Sequence, residues 1–271
     1  MTVVYTIAAL VALGLFFAIV LYFVAQKFKV EEDPRIDEVE SLLPGANCGG
    51  CGNAGCRAFA EKVVAADDMA SFFCPVGGNE VMAKIAAALG KEAVEKEPMV
   101  AVVRCQGTPD KCQKINQYDG ASSCRVAASL YTGETGCKWG CIGLGDCVSA
   151  CEFGGVSLDP VTRQVSIDYG MCTGCGSCAR SCPHNVIQLR PRGKRGRRVY
   201  VACLNQDKGA QTRKACTAGC IGCGKCAKVC PFEAITLENN LAYIDYTKCK
   251  ACGKCAAECP VQAIVVTPFE N

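Results

Sequence analysis

Two runs of CxxCxxCxxxCP constrain this chain more than anything else in it. They stand at Cys220, Cys223, Cys226, Cys230 and at Cys249, Cys252, Cys255, Cys259, each closed by a proline. Cysteines at i, i+3 and i+6 wrap a tight loop around one corner of a metal–sulfide cubane. The fourth, about one helical turn on, points away toward a second cubane. The ligand sets are therefore expected to cross: Cys220, Cys223 and Cys226 with Cys259, and Cys249, Cys252 and Cys255 with Cys230. Structural zinc is the competing reading of any cysteine-rich chain, but zinc sites pair two CxxC knuckles across a longer spacer. Tandem runs of this form favour iron and sulfide.

Composition narrows the class further. The chain has 271 residues, 25 cysteines and one histidine. Close-spaced metal-type runs argue for reducing, cytosolic surroundings and against a disulfide scaffold. A lone histidine disfavours multi-histidine metal sites and haem. The net charge of +3 is too small to point to nucleic acid as a partner. With 7% aromatic residues the apolar core must be small, so metal binding is expected to supply much of the folding free energy.

Residues Val3 to Ala25 carry no charge over 23 positions, long enough at ~1.5 Å per residue to cross a ~30 Å hydrocarbon core. A cleaved signal peptide is disfavoured because no basic stretch precedes the run. Lys27 and Lys29 follow, which by the positive-inside rule leaves the rest of the chain in the cytoplasm. Glu31, Glu32, Asp33 and Pro34 read as a short polar linker. Next, NCGGCGNAGC and FCPVGG bring Cys48, Cys51, Cys56 and Cys74 into one expected four-cysteine site. Glycines there allow close approach of the backbone. Gly50, Gly52 and Gly55 match GxGxxG, but no strand precedes them and Cys51 interrupts them, so the match is coincidental. A helix is predicted from Arg57 to about Asp67. A second has Asn79 as N-cap and Gly90 near its end, with Val81, Ile85 and Leu89 facing a core.

Met99 to Val103 reads as a strand, and then the motif repeats. Cys137, Cys141, Cys147 and Cys151 align with Cys216, Cys220, Cys226 and Cys230, and IDYGMC aligns with IDYTKC, at an offset of about 78 residues. Two bacterial-type two-cluster ferredoxin domains in tandem are expected. Hairpins should pair Val156–Leu158 with Val165–Ile167 and Ile235–Leu237 with Ala242–Ile244, the second turning at Asn239 and Asn240. One position breaks the repeat: Leu144 stands where Cys223 does, and leucine cannot ligate iron. Either Cys137 substitutes, giving Cys137, Cys141, Cys147 and Cys182, or the position holds a three-iron cluster or none. Substitution is favoured because Cys137 lies one helical turn from Cys141. The partner set is Cys172, Cys175, Cys178 and Cys151.

Five cysteines are left over: Cys105, Cys112, Cys124, Cys203 and Cys216. Buried free thiols pack well, and a sixth cluster built from some of Cys105, Cys112 and Cys124 stays open beside the five expected [4Fe-4S] clusters. Arg190, Arg192, Lys194, Arg195, Arg197 and Arg198 put six charges in nine residues. They are either a solvated loop or a landing patch for an acidic redox partner. His184 reads as a surface or packing residue.

One span, a CxxCx4C…C domain and tandem ferredoxin domains together resemble the B subunit of the Rnf complex, a membrane ferredoxin:NAD+ oxidoreductase that moves sodium ions or protons. The resemblance runs over essentially the whole chain, most specifically at NCGGCGNAGCRAFA with FCPVGG, and Leu144 departs from its plain motif. It implies a single-pass subunit of the cell (inner) membrane with its C-terminal domains in the cytoplasm. Such a subunit accepts electrons from soluble ferredoxin and relays them to flavin-bearing, NAD-binding and multi-span subunits, with no catalytic residues or nucleic-acid partner of its own. Iron–sulfur subunits of a membrane hydrogenase or formate dehydrogenase usually lack the CxxCx4C domain, and a cluster-based redox sensor would not need so many clusters. The expected class is α+β: a transmembrane anchor (1–26), a linker and small helical 4Fe-4S domain (27–98), and two ferredoxin-like domains (99–195 and 196–271).

Overall fold

A computed structural model describes residues 2–27, 33–131 and 133–268. Lys29, Glu31 and Glu32, named above for their charge, lie outside these. Helix α1 (Thr2–Lys27) carries Val4–Val24, an uncharged stretch long and apolar enough to span a membrane and wholly exposed within the chain.

A three-helix unit follows. Asp33 and Pro34 are not linker but the start of α2 (Pro34–Leu42): the Asp33 carboxylate accepts from the Arg35 N–H at 2.9 Å and Pro34 takes the first helical position. Helices α3 (Cys56–Ala65) and α4 (Gly78–Leu89) complete the unit around Val39, Phe59, Val63, Met69, Met82 and Ile85, all nearly inaccessible. Arg57 ties α3 to α2 through Asp37 (3.0 Å) and Glu40 (2.7 Å). Asn79 does not cap α4, which begins at Gly78. Its amide instead makes a two-way bond with the Lys96 backbone, Nδ2 to O and N to Oδ1, both 3.0 Å, and pins the segment leading to the next domain.

The two halves beyond residue 98 repeat one plan. In the first, β1 (Met99–Val103) is followed by α5 (Cys124–Leu130), α6 (Asp146–Ser149), the hairpin β2 (Val156–Leu158) and β3 (Val165–Ile167), α7 (Ser177–Ser181) and β4 (Ile187–Pro191), which pairs back on β1. In the second, β5 (Val199–Val201), α8 (Gly209–Ala215), α9 (Lys225–Lys228), the hairpin β6 (Ile235–Glu238) and β7 (Leu241–Ile244), α10 (Lys254–Ala257) and β8 (Ile264–Val266) do the same, with β8 on β5. Asn239 and Asn240 turn the second hairpin with φ of 47° and 59°, the left-handed pair that a two-residue turn between twisted strands needs. Both hairpins take the predicted registers. All four sheets have only two strands, too few to stand alone in water. Between them, small aliphatic side chains pack around buried cysteines.

Most of the arginine-rich segment is drawn into the fold rather than laid out on the surface. Arg190 and Arg198 are 3% and 5% exposed, and of the six basic residues only Lys194 and Arg195 are exposed. Arg190 reaches from the first half to the second, donating to the Ile244 carbonyl at 2.7 Å and lying over the rings of Tyr243 and Tyr246 (4.8 and 5.3 Å). Arg198 lies 4.0 Å over Tyr169 of the first half, the repeat partner of Tyr246. A guanidinium can be buried where ring faces and carbonyls replace its water, and here the exchange joins the halves reciprocally. Arg190→Met should therefore cost about 2–3 kcal/mol, since it leaves the Ile244 carbonyl unpaired, whereas Lys194→Glu should change stability by less than about 0.5 kcal/mol. Anaerobic urea unfolding of the two variants measures the difference.

Candidate metal centres

Cys48, Cys51, Cys56 and Cys74 surround a cavity of about 330 Å³ between the α2–α3 loop and the start of α4. Asn47 Oδ1 accepts from the Cys56 N–H (2.7 Å) at the head of α3, and the Gly77 N–H bonds to Cys74 Sγ (3.4 Å). At the far end of the chain, Cys220, Cys223, Cys226 and Cys259 line about 350 Å³, and Cys230, Cys249, Cys252 and Cys255 about 300 Å³. These are the two crossed sets read from the motif. In the first half, Cys151, Cys172 and Cys175 stand close enough to Cys178 for their charges, after burial itself, to push its thiol up to about 12.

The Leu144 position departs from the motif-based expectation. Cys124, not Cys137, joins Cys141, Cys147 and Cys182 around a cavity of about 350 Å³. Asp146 puts it there: its carboxylate accepts from the Cys124 N–H (2.9 Å), the Arg125 N–H (3.0 Å) and the Ser123 hydroxyl (3.0 Å). The first turn of α5 is thereby clamped over the site and Cys124 fills the gap left by Leu144. Ser123 as the N-cap of α5 was a local sign in the sequence, but nothing local tied that helix to Asp146.

Cys137 goes elsewhere. With Cys105, Cys112, Cys203 and Cys216 it lines the largest of these cavities, about 420 Å³, between the two halves, and Cys141 of the Cys124 set borders it as well. Cys137 and Cys216 are repeat partners. So are Cys105 and Cys203: each follows the first strand of its half, and each has its sulfur held by the backbone N–H two residues on and by that of the first motif cysteine. Cys112 comes from an insertion that meets the second half where the Thr217 N–H donates to the Lys111 carbonyl (2.9 Å). The sulfurs of Cys112 and Cys216 interact, which lowers the Cys112 thiol and raises that of Cys216. The sequence leaves a sixth site open with Cys105 and Cys112 among its candidates, but does not join Cys137, Cys203 and Cys216 to them, because the members lie up to 111 positions apart, from Cys105 to Cys216.

Among the described residues no three of Cys, His, Asp or Glu converge on a single-ion site. Five of the sulfur sets instead line pockets with about 300 to 420 Å³ of empty space, part of it open to solvent, which leaves room for a group with atoms of its own between the ligands. Burial raises the thiols of Cys147, Cys203, Cys226 and Cys255 to about 11 and that of Cys141 further. Such groups stay protonated at neutral pH unless a metal displaces the proton, so loading releases protons and weakens as pH falls. His184 lines the Cys124 cavity, with its Nδ1 2.6 Å from the Gly140 carbonyl.

The sets form a row. Gly50 of the Cys48 loop presses on the Cys175 loop so closely that a Cβ would sit 2.8 Å from the Cys175 carbonyl oxygen and 2.9 Å from its Cα. Arg180 donates to the Cys48 and Cys175 carbonyls (2.9 and 3.0 Å) and bolts the loops together. Cys147 neighbours Cys178, the Cys141 N–H bonds to Cys105 Sγ (3.4 Å), Cys203 neighbours Cys220, and Cys226 neighbours Cys255. Backbone cannot yield as a flexible side chain can. Gly50→Ala should therefore part the three-helix unit from the first half while both sites still load, and the measurable result is a weaker magnetic coupling between their reduced centres.

A candidate membrane helix, a small iron–sulfur unit and repeated four-cysteine loops define a membrane-associated iron–sulfur protein of the dicluster class. Comparison with known families agrees: residues 43–71 match a putative Fe-S cluster domain, and 137–186, 171–234 and 219–263 match the 4Fe-4S dicluster domain. The chain is 44% identical to the B subunit of the Na+-translocating ferredoxin:NAD+ oxidoreductase complex of Acetobacterium woodii, over 88% of this chain and 70% of that one. It is 44% identical to the B subunit of the ion-translocating oxidoreductase complex of Methanosarcina acetivorans, over 90% of each chain. The B subunit of the proton-translocating ferredoxin:NAD+ oxidoreductase complex of Clostridium ljungdahlii is 42% identical over 92% of this chain and 86% of its own. The chain belongs to this family, the B subunits of Rnf-type ion-translocating oxidoreductase complexes.

Proposed function

We propose that this subunit takes electrons from reduced ferredoxin at its C-terminal domain and delivers them, at the Cys48 domain, to other subunits of a complex that reduces NAD+ and moves Na+ or H+. The observation that carries this is the row of cysteine sets, which runs from the Cys252 set through the Cys223, bridging, Cys124 and Cys175 sets to the Cys48 set. Six [4Fe-4S] clusters would use 24 of the 25 cysteines, and each, when bound, takes up and passes on one electron. Only Cys223 and Cys252 are exposed, which puts the open end of the row on the C-terminal domain. Exposed Lys225, Lys228, Lys248, Lys250 and Lys254 surround them and replace the arginine segment as the surface for an acidic donor. The other end follows α1, whose last turn carries Lys27, an arrangement that favours a cytoplasmic body on a single span.

The test is to load the full-length chain in detergent with iron and sulfide under anaerobic conditions, then mix it with reduced ferredoxin or with NADH while following visible absorbance. Fast bleaching by ferredoxin, slowed by salt and by Lys250→Glu with Lys254→Glu, and no reaction with NADH, is the expected result. Bleaching by a different donor alone would make this the relay of another oxidoreductase.

A further inference from the structure

Among the polar side chains that line the bridging cavity, Asn205 places its amide on a cysteine sulfur. Asn205 is 1% exposed. Its Oδ1 accepts from the Asp207 N–H (2.8 Å) and from the Thr212 hydroxyl (3.1 Å). A backbone N–H can only donate, so the oxygen of the amide must face Asp207 and the NH2 must face the other way. There it meets Cys137 Sγ at 3.5 Å. The backbone N–H of the same residue bonds to Cys203 Sγ at 3.3 Å, so Asn205 holds one sulfur from each half of the molecule. Thr212, fully buried, is seated against Gly219, where a Cβ would lie 2.5 Å from the threonine methyl. Asn53, 3.6 Å from Cys51 on a half-buried loop, is the other amide placed on a cysteine sulfur among the described residues, and no comparable clamp holds it.

We propose that Asn205 is a positioning residue that sets the reduction potential of the bridging centre. The proposal rests on the reading that four of the five cysteines there hold a cluster. An N–H···S bond stabilises the state with more negative charge on sulfur, which is the reduced state, and a dry cavity strengthens the effect. Arg104, which lines the same cavity, is already engaged by the carbonyls of Val201 (3.0 Å) and Cys203 (3.2 Å). At the bridge one electron arrives from the second half and one leaves to the first, and Asn205 keeps its protons throughout. Its amide raises the potential of the bridge and so favours arrival of the electron that crosses between the halves there.

Iron analysis and EPR-monitored redox titration of the full-length loaded chain test this, with Asn205→Leu and Thr212→Val. The wild type should hold about 24 irons. Asn205→Leu should keep them and move one midpoint to more negative potential while the rest stay put. Thr212→Val, which loosens the amide without removing it, should move the same midpoint the same way by less. Unmoved midpoints with full iron in both variants would overturn the proposal, and loss of the bridging signal in both would reduce Asn205 to a packing role. A wild type with about 20 irons would fail the underlying reading first, before any variant is compared.

Discussion

Replacing Cys124 by serine is expected to remove about four irons and to halve the absorbance that ferredoxin can bleach, whereas Leu144→Ala should change neither. Cys124 stands with Cys141, Cys147 and Cys182 because Asp146 clamps the first turn of α5 over them. A serine hydroxyl in that place is a poor substitute for thiolate toward iron. Three sets lie on the C-terminal side of the break and would still fill with electrons. The Cys175 and Cys48 sets beyond it would stay oxidised, which gives the loss of about half the signal. Iron content, EPR of the reduced protein and the bleaching amplitude report it together. Cys137→Ser should spare this centre and disturb the bridge. The reverse pattern, with Cys137→Ser abolishing the Cys147 centre and Cys124→Ser leaving it whole, would restore the motif-based ligand set.

Stripping the iron should unfold the two dicluster halves and leave the three-helix unit standing. The halves have two-stranded sheets, and their cores are built around the ligands: Cys203, Cys226 and Cys255 are buried in one, Cys147 and Cys178 in the other. Without metal those cavities have nothing to close them, and a whole domain's stability, about 5–15 kcal/mol, depends on that contribution. The N-terminal unit differs. Phe59, Met69, Met82, Ile85 and three valines give it an apolar core of its own, and Lys91 closes α3 by donating to the Val63 and Ala66 carbonyls (2.8 and 2.5 Å). Limited proteolysis after chelation should therefore release a resistant fragment ending within the loop 90–98, with rapid digestion of everything beyond it. Even digestion of the whole chain, or protection of all of it, would contradict this division.

What local chemistry dictates could be read from the sequence alone. Close-spaced cysteines span one ligand corner, so the grouping of the Cys175, Cys223 and Cys252 loops (CxxCxxC) and of the Cys48 loop (CxxCx4C) was legible. So were both hairpins, where alternating residues meet turn formers such as Asn239 and Asn240. Helix α2 was not legible: Asp33 as cap and Pro34 as first residue read equally as a linker until Val39 is seen packed in the core. Tertiary structure decided what depends on distant segments meeting. It sent Cys124 to Asp146, Cys137 to Asn205, and Cys105, Cys112, Cys137, Cys203 and Cys216 from two halves to one cavity that Cys141 also borders. It also turned an apparent charge patch inward, because a run of arginines states its charge but not whether tyrosines and carbonyls wait across the interface to receive it. Spacing encodes geometry only over about a turn or two of chain. Beyond that, which residues become neighbours follows from how the halves pack, and the repeat partners Cys137 and Cys216 carried the one trace of that packing visible in the sequence.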